Sequence, residues 1–149
     1  TGWNVLFVGG PGEVERSVRI RRALGKPLSR TRDAIGKLPL RSLWALLPQV
    51  DAFLGSDSAP GHFAGALGLA TRILMNAEVD PARWAPLGPR VRVKLSRAEG
   101  HVCARSACPP PCPNMLSLSV ATALAFVRGA GEQGGAARVS PARGRRGVR

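Results

Sequence analysis

Tyrosine is absent from this 149-residue chain, and aromatic residues supply only 5% of it. Proteins that bind single-stranded nucleic acid stack the bases on aromatic side chains, so this scarcity argues against that class. Long apolar runs are also absent, since no segment reaches the roughly 18–20 apolar residues that a membrane-spanning helix needs. No secretory signal is visible at the start of the sequence. The lack of a membrane-spanning run and of a secretory signal predicts a cytoplasmic protein.

Acidic residues are scarce too, with nine Asp and Glu against 22 Lys and Arg and a net charge of +13. Five arginines and no acid lie in residues 138–149. A composition rich in glycine, alanine and arginine predicts a disordered basic tail over 129–149. The positive excess favours anionic partners such as nucleic acid, phosphate-bearing small molecules or an anionic membrane surface. The alternative is a biased composition that leaves a solvated basic surface.

Residues 1–128 read as one domain in which apolar strands alternate with helices. The predicted strands cover 3–10, 34–35, 51–56, 70–76 and 90–95, and the predicted helices cover 11–25, 39–50, 59–68 and 117–127. Residues 77–90 and 103–112 are predicted to be irregular. This alternation predicts an α/β fold with a parallel sheet and helices on both faces. Ligands of such sheets bind beyond the carboxyl ends of the strands.

The apolar spacing predicts which faces of two helices are buried. The residues predicted to face inward are Leu40, Leu43, Leu46 and Leu47 in the helix 39–50, and Leu118, Ala121, Leu124 and Ala125 in the helix 117–127. Pro48 should end the first of these helices or occupy its last turn. We interpret the three tryptophans as packing residues, and a ligand contact is an alternative for Trp84, which lies in a loop near the predicted ligand site.

Residues 53–68, "FLGSDSAPGHFAGALG", place an acid, hydroxyls and a histidine where a strand gives way to a helix. If Asp57 or Ser58 caps a helix that begins at Ala59 or Pro60, the first N–H groups of that helix have no partner within it. Together with the helix dipole they bind anions such as a diphosphate. Asp57 is suited to accept hydrogen bonds from sugar hydroxyls, and His62 to donate to a phosphate or sugar oxygen. The small residues that let a phosphate approach the backbone are Ser58, Ala59 and Gly61.

A purely structural interpretation of the same stretch is equally simple. Asp57 then caps the helix and Pro60 occupies its first turn, where proline is tolerated. His62 packs against that turn. The spacing alone leaves the two interpretations open.

A separate candidate cluster lies in "HVCARSACPPPC", where Cys103, Cys108 and Cys112 follow His101. These three cysteines and the histidine are a possible Cys₃His zinc site, although structural zinc sites usually combine two distant pairs of ligands. One disulfide is a second possibility, which a cytosolic setting disfavours. We expect free thiols and no metal.

Five segments carry a resemblance to a known family. They are "LFVGGPGEVE", "IGKLPLRSLWALLPQVDAFLGSD", "GSDSAPGHFAGALG", "DPARWAPLGPRVRV" and "CPNMLSLSVATAL". In this order they resemble motifs of the heptosyltransferases of lipopolysaccharide core synthesis, the family-nine glycosyltransferases. The resemblance implies a GT-B fold of two facing Rossmann-like domains, of which this chain is most of the C-terminal, donor-binding one. The missing methionine at position 1 also suggests a fragment or a processed product.

By position, the resemblance implies that the donor is an ADP-activated heptose. Glu13 would bind the ribose hydroxyls, and the backbone at Lys37 and Leu38 would line the base. Asp57 would bind the hydroxyls of the sugar. The residues that would surround the diphosphate are Ser58, Ala59 and His62. Glu78 departs from the family pattern and would add a negative charge near the diphosphate.

The resemblance also implies partners and a limit on activity. The acceptor would be a lipid-linked saccharide, and the general base would lie in an acceptor domain expected before Thr1, so this chain alone should be inactive. The arginine tail would either be solvated or hold the protein at the inner face of the cytoplasmic membrane. No cofactor is implied. The alternatives are a small basic nucleic-acid-binding module and a degenerate, non-catalytic nucleotide-binding domain.

Overall fold

The structure is a computed structural model that describes residues 3–23, 30–103 and 111–129. It divides into two compact units, Thr1–Leu46 and Leu47–Arg149. Several predicted features lie outside the described residues, namely the end of the first helix at Gly25, Cys108, and residues 130–149 of the basic tail.

The first unit is a short parallel βα arrangement. Its elements are the strand β1 (Val5–Phe7), a 3-10 turn (Pro11–Glu13), the helix α1 (Val14–Ala23), the strand β2 (Thr31–Asp33) and the helix α2 (Leu40–Leu46). Strands β1 and β2 pair in parallel, with Val5 opposite Thr31 and Phe7 opposite Asp33. A strand was predicted at 34–35, but the observed strand β2 lies just before these residues. Residues 34–35 lead into the turn that follows β2.

Asp33 fixes the end of β2 to the rest of this unit. Its Oδ1 accepts a hydrogen bond from the Ile35 N–H at 3.0 Å, and its Oδ2 lies 3.2 Å from Nη1 of Arg21 on α1. The Ala34 N–H donates to the Phe7 carbonyl across the two strands at 2.9 Å. These contacts hold the turn after β2 next to the loop after β1.

The second unit contains a three-stranded parallel sheet in the order β3–β4–β5. Its elements are β3 (Ala52–Ser56), α3 (Ala59–Ala66), β4 (Ala70–Asn76), α4 (Pro81–Trp84), β5 (Val91–Ser96), α5 (Pro113–Leu116) and α6 (Val120–Arg128). Ser56 pairs with Leu74, and Asn76 pairs with Ser96. The carboxyl ends of all three strands therefore lie along one edge of this sheet.

Helices cover both faces of β4, as predicted. Thr71, Ile73 and Met75 are buried on one face, and α3 packs there, because a Cβ on its Gly61 would lie 2.8 Å from Cδ1 of Ile73. On the opposite face, Nε of Arg72 donates to the Phe126 carbonyl on α6 at 3.3 Å. The alternation of buried residues along β4 thus separates two helical layers.

The backbone of α3 lies in close contact with the backbone of the segment that leads into β5. A Cβ on Gly88 would lie 2.3 Å from the Gly65 carbonyl oxygen, so only glycine fits at this contact. The adjacent core consists of Ile73, Met75, Ala85 and Val93. The segment 77–90 was predicted to be irregular, and the structure corrects this with the short helix α4, which Asp80 caps by accepting from the Ala82 N–H.

The inward faces of the leucine-rich helices were predicted in part. Leu43 and Leu47 are buried, whereas Leu40 is exposed. The helix α2 ends at Leu46, and Pro48 lies in a 3-10 turn directly after it, as expected. Proline is compatible with that terminal turn because its missing N–H is not needed there.

The last predicted helix, 117–127, begins three residues later than expected, and its predicted inward face was wrong. The helix α6 begins only at Val120, since Oγ of Ser119 caps it by accepting from the Thr122 N–H. Phe126 is the buried residue of α6. Of the four residues predicted to face inward, Leu118 precedes the helix and Ala121, Leu124 and Ala125 are exposed. Within the described residues, no helix combines the length and apolarity needed to cross a membrane.

Candidate functional site

The main candidate site lies where β3 ends and α3 begins. Only Asp57 and Ser58 separate Ser56, the last residue of β3, from Ala59, the first of α3. Asp57 and Ser58 therefore lie at the carboxyl edge of the sheet. The sequence predicted this junction to within a residue.

Asp57 and His62 face each other at the start of α3. Nε2 of His62 lies 3.5 Å from Oδ1 of Asp57, and the side chains are 45% and 32% exposed, respectively. This separation is too long for a strong hydrogen bond. His62 lies against the turn before the helix, as the structural interpretation expects, but nearly half of its side-chain surface stays exposed. Both side chains remain accessible to a molecule from solution.

Ser58 occupies the N-cap position of α3, so the expectation that Asp57 caps the helix is wrong. The Ser58 backbone is extended there, and its side chain makes no capping hydrogen bond. Instead, its Oγ donates to the Ser56 carbonyl at 3.2 Å. The usual N-cap serine places its oxygen over the first amides of the helix. In this protein the hydroxyl points back to the strand, so the N-cap side chain does not bond to the first amides of the helix.

The set of amides available at this helix end is smaller than expected. The Gly61 N–H donates to the Ser58 carbonyl at 2.9 Å, and Pro60 has no N–H. Helix geometry then leaves the N–H groups of Ser58 and Ala59 without an acceptor in α3. Gly61 also faces the sheet at Ile73. Its small size therefore serves packing and not the approach of a ligand.

Glu13 lies in the first unit, in the 3-10 turn after β1. Its Oε2 accepts a hydrogen bond from the Gly10 N–H at 2.9 Å. A Cβ on Gly9 would lie 2.5 Å from the same oxygen. Gly9 and Gly10 thus hold the Glu13 carboxylate at the carboxyl end of β1, a constraint that the sequence did not reveal.

Lys37 and Leu38 lie in the turn after β2 of the same unit. Nζ of Lys37 donates to the Asp33 carbonyl at 2.9 Å. Gly36 has φ of +72°, which favours glycine, and its N–H donates to the Gly9 carbonyl at 2.9 Å. The structure therefore brings the loop of Glu13 next to the loop of Lys37 and Leu38.

The predicted site residues consequently form two groups. Glu13, Lys37 and Leu38 lie together in the unit Thr1–Leu46, whereas Asp57, Ser58, Ala59 and His62 lie together in the unit Leu47–Arg149. Within each unit the group lies at the carboxyl ends of parallel strands. This is the edge at which α/β sheets bind their ligands.

Two further expectations concern the segment after β4. Glu78 forms an ion pair with Arg97, whose Nη1 lies 2.9 Å from its Oε1. Its negative charge is therefore matched locally. Trp84 is exposed rather than packed, and the guanidinium carbon of Arg83 lies 5.6 Å from its ring centroid.

Sequence reasoning missed a pair of asparagine side chains at the end of β4, of which Asn114 is buried. Nδ2 of Asn114 donates to Oδ1 of Asn76 at 2.9 Å, and its Oδ1 accepts from the Ala98 N–H at 2.8 Å. Asn114 is 0% exposed. Its position directly after Pro113, at the start of a helix, was the only signal available in the sequence.

Cys103 and Cys112 are close to each other but are not joined by a disulfide. The Sγ atoms of Cys103 and Cys112 are 3.6 Å apart, whereas a disulfide is about 2.05 Å long. Polar ligand atoms of His101, Cys103 and Cys112 all lie within 4.8 Å of one another. Any pairing of Cys108 lies outside the described residues.

Comparison with known proteins adds to this geometry. The family model "Glycosyltransferase family 9 (heptosyltransferase)" matches residues 1–112. Among solved structures, a family 9 glycosyltransferase from Veillonella parvula DSM 2008 is similar, with a TM-score of 0.64 and 17% sequence identity. The alignment covers 87% of this chain and 38% of that one. No curated protein matches the sequence. At this identity the structural likeness shows the fold, and the chain spans well under half of its structural relative.

Proposed function

Because this chain belongs to glycosyltransferase family 9, we propose that it is the donor-binding part of a transferase. The donor is an ADP-linked, heptose-like sugar, and the acceptor is a lipopolysaccharide-type, lipid-linked saccharide. Family membership itself supports glycosyl transfer. The choice of donor and acceptor and the two-domain GT-B arrangement rest on the motif resemblance.

The observation that carries the proposal is the exposed Asp57–His62 pair at the start of α3, where the N-cap side chain makes no capping hydrogen bond. The N–H groups of Ser58 and Ala59 and the positive end of the helix dipole stabilise a negatively charged diphosphate. His62 donates to a phosphate or sugar oxygen, and Asp57 accepts from sugar hydroxyls. As the bond to the sugar breaks, charge accumulates on the departing diphosphate, so donors fixed at this position stabilise the transition state.

In the first unit, Glu13 accepts hydrogen bonds from the ribose hydroxyls, and the backbone of Lys37 and Leu38 borders the base. The Gly10 N–H engages Oε2 of Glu13. A carboxylate has several acceptor directions, so a hydroxyl can still bind to it. This assignment requires no movement of the turn. The pairing of Glu78 with Arg97 supports the proposal as well, because it reduces repulsion of an anionic ligand.

The chain alone is proposed to be inactive. It spans 38% of its structural relative, and the acceptor needs a general base that the described residues do not identify. Incubation with ADP-heptose and a lipid-linked saccharide should give no product. Product formation by this chain would overturn this part of the proposal. The arginine tail is proposed to favour an anionic membrane surface, and deletion of 138–149 should then reduce binding to anionic vesicles.

Calorimetric binding of ADP and of ADP-heptose tests the donor site. Asp57→Ala should weaken ADP-heptose binding about tenfold and ADP binding less than about threefold, because only the sugar contacts this carboxylate. Asp51→Ala is the matched control, since Asp51 is exposed at the opposite end of β3. It should leave both affinities unchanged.

Two results would contradict the proposed function. Equal weakening by both substitutions would show a general loss of structure and not a contact with the sugar, because removal of a negative charge by itself favours binding of an anion. Failure of the wild-type chain to bind either nucleotide, combined with salt-sensitive binding of an oligonucleotide, would favour the nucleic-acid-binding alternative that the net charge of +13 suggests.

A further inference from the structure

A second cluster of chemically active side chains lies beyond β5, apart from the proposed donor site. It consists of His101, Cys103 and Cys112, and we refer to these three residues as the Cys/His corner. Their ligand atoms lie within 4.8 Å of one another. Cys103 and Cys112 are partly buried. The proposed transfer reaction uses none of these residues.

We propose that the Cys/His corner binds one zinc ion. In a tetrahedral site with Zn–S bonds of about 2.3 Å, two sulfur atoms are about 3.8 Å apart. The Sγ atoms of Cys103 and Cys112 are 3.6 Å apart. This spacing matches two thiolates on one metal and is far too long for a disulfide. Small side-chain adjustments bring the imidazole of His101 to the third position.

The chemistry of these donors selects the metal. Thiolate and imidazole ligands suit zinc, whereas calcium and magnesium prefer oxygen. Three protein ligands leave a fourth tetrahedral position, which a water molecule or another side chain fills. The thiols lose their protons when the metal binds, so affinity falls as the pH is lowered.

The surrounding hydrogen bonds position one of these sulfur ligands. Nδ2 of Asn76 lies 3.5 Å from Sγ of Cys112 and donates toward it. The other end of that amide is held, because Oδ1 of Asn76 accepts from Nδ2 of Asn114 and from the Glu78 N–H. Hydrogen bonds to the ligands of a metal orient them and tune the site. The end of β4 thus fixes the position of Cys112.

The backbone brings the other two ligands to the same place. After β5, the His101 N–H donates to the Ala98 carbonyl at 3.3 Å, and Gly100 has φ of +70° within this turn. The Ala98 N–H in turn donates to Oδ1 of Asn114 on α5. The segment that carries His101 and Cys103 is therefore already tied to α5. Zinc adds a second connection between the same two segments.

Metal analysis of the full chain, purified under reducing conditions from zinc-supplemented cells, tests the proposal. We expect about one zinc per chain after dialysis. His101→Ala, Cys103→Ser and Cys112→Ser should each remove most of it. The chain has only two histidines, so His62→Ala is the matched control and should retain the metal.

Cobalt titration of the zinc-free wild-type chain keeps the test independent of how the variants fold. Cobalt should give thiolate-to-metal charge-transfer absorption and intense tetrahedral d–d bands, which one equivalent of zinc abolishes. Absence of both zinc and these bands would overturn the proposal. Full zinc content in His101→Ala would also overturn it. So would a Cys103–Cys112 disulfide that persists without metal in the chain purified under reducing conditions. These outcomes do not depend on ADP-heptose binding, so they leave the proposed function to its own test.

Discussion

Two stretches at the same edge of one sheet use their polar side chains in opposite ways. After β3, Asp57 and His62 contact each other at 3.5 Å and remain substantially exposed. After β4 and β5, Asn76 and Asn114 bond to each other and to backbone N–H groups, and Asn114 is fully buried. We call these the β3 end and the β4–β5 end.

The difference separates groups that hold the fold from groups that remain available to a ligand. A buried amide whose donors and acceptors are satisfied stabilises the backbone around it, and removing it leaves its partners unsatisfied. An exposed carboxylate and imidazole contribute little to stability because water solvates them. Such side chains can exchange water for a ligand at small cost to the fold. Mutations at the two ends should therefore give very different changes in the free energy of unfolding.

The largest effect is expected for Asn114→Ala. The substitution leaves the Ala98 N–H and Oδ1 of Asn76 without this partner in a buried place, which should lower the free energy of unfolding by about 3 kcal/mol. Urea denaturation followed by circular dichroism measures the change. Asn4→Ala, at an exposed position, should change it by less than about 0.5 kcal/mol. A loss below about 1 kcal/mol for Asn114→Ala would show that water replaces the amide and that the β4–β5 end is not rigid.

A smaller effect is expected from a pair of serines, one at each end. Oγ of Ser96 lies 3.3 Å from the Met75 carbonyl and 3.1 Å from Sδ of Met115 in a buried environment. Ser96→Ala should therefore cost about 1 kcal/mol of unfolding free energy. Ser58→Ala should cost less than about 0.5 kcal/mol, since this hydroxyl makes no capping bond. Thermal and urea denaturation of both variants would measure the difference, and equal losses would contradict it.

Much of the fold could be predicted from the sequence because local signals and the observed elements agree. The pattern "ATRILMN" predicted β4 at its observed bounds, and Gly68, with φ of +74°, separates it from α3. The inward face of α6 could not be predicted in this way. The helix sequence "VATALAFVR" is apolar on nearly every side, so apolar spacing does not select one face. Burial of Phe126 depends on packing against the rest of the fold.

The candidate site was predictable only where it follows from position along the chain. The placement of Asp57 and His62 at the start of α3 follows from a strand that ends and a helix that begins. The partner of the Ser58 hydroxyl and the burial of Asn114 do not follow from position along the chain. Both depend on contacts between segments that are distant in sequence or on a choice among side-chain rotamers. The contact of Asn76 with Asn114, 38 positions later, is of this kind.

The smallest effect is expected at the proposed donor site itself. Its size tests directly whether the β3 end differs from the β4–β5 end. Asp57→Ala and His62→Ala should each change the free energy of unfolding by less than about 0.5 kcal/mol, and their coupling in a double-mutant cycle should be no larger. An Asn76→Ala and Asn114→Ala cycle should give a coupling above about 1 kcal/mol. Both cycles use urea denaturation without nucleotide. If the Asp57–His62 coupling exceeded about 1 kcal/mol, the pair would be part of the framework of the fold. A ligand would then have to break it, and the division between the two ends of the sheet would fail.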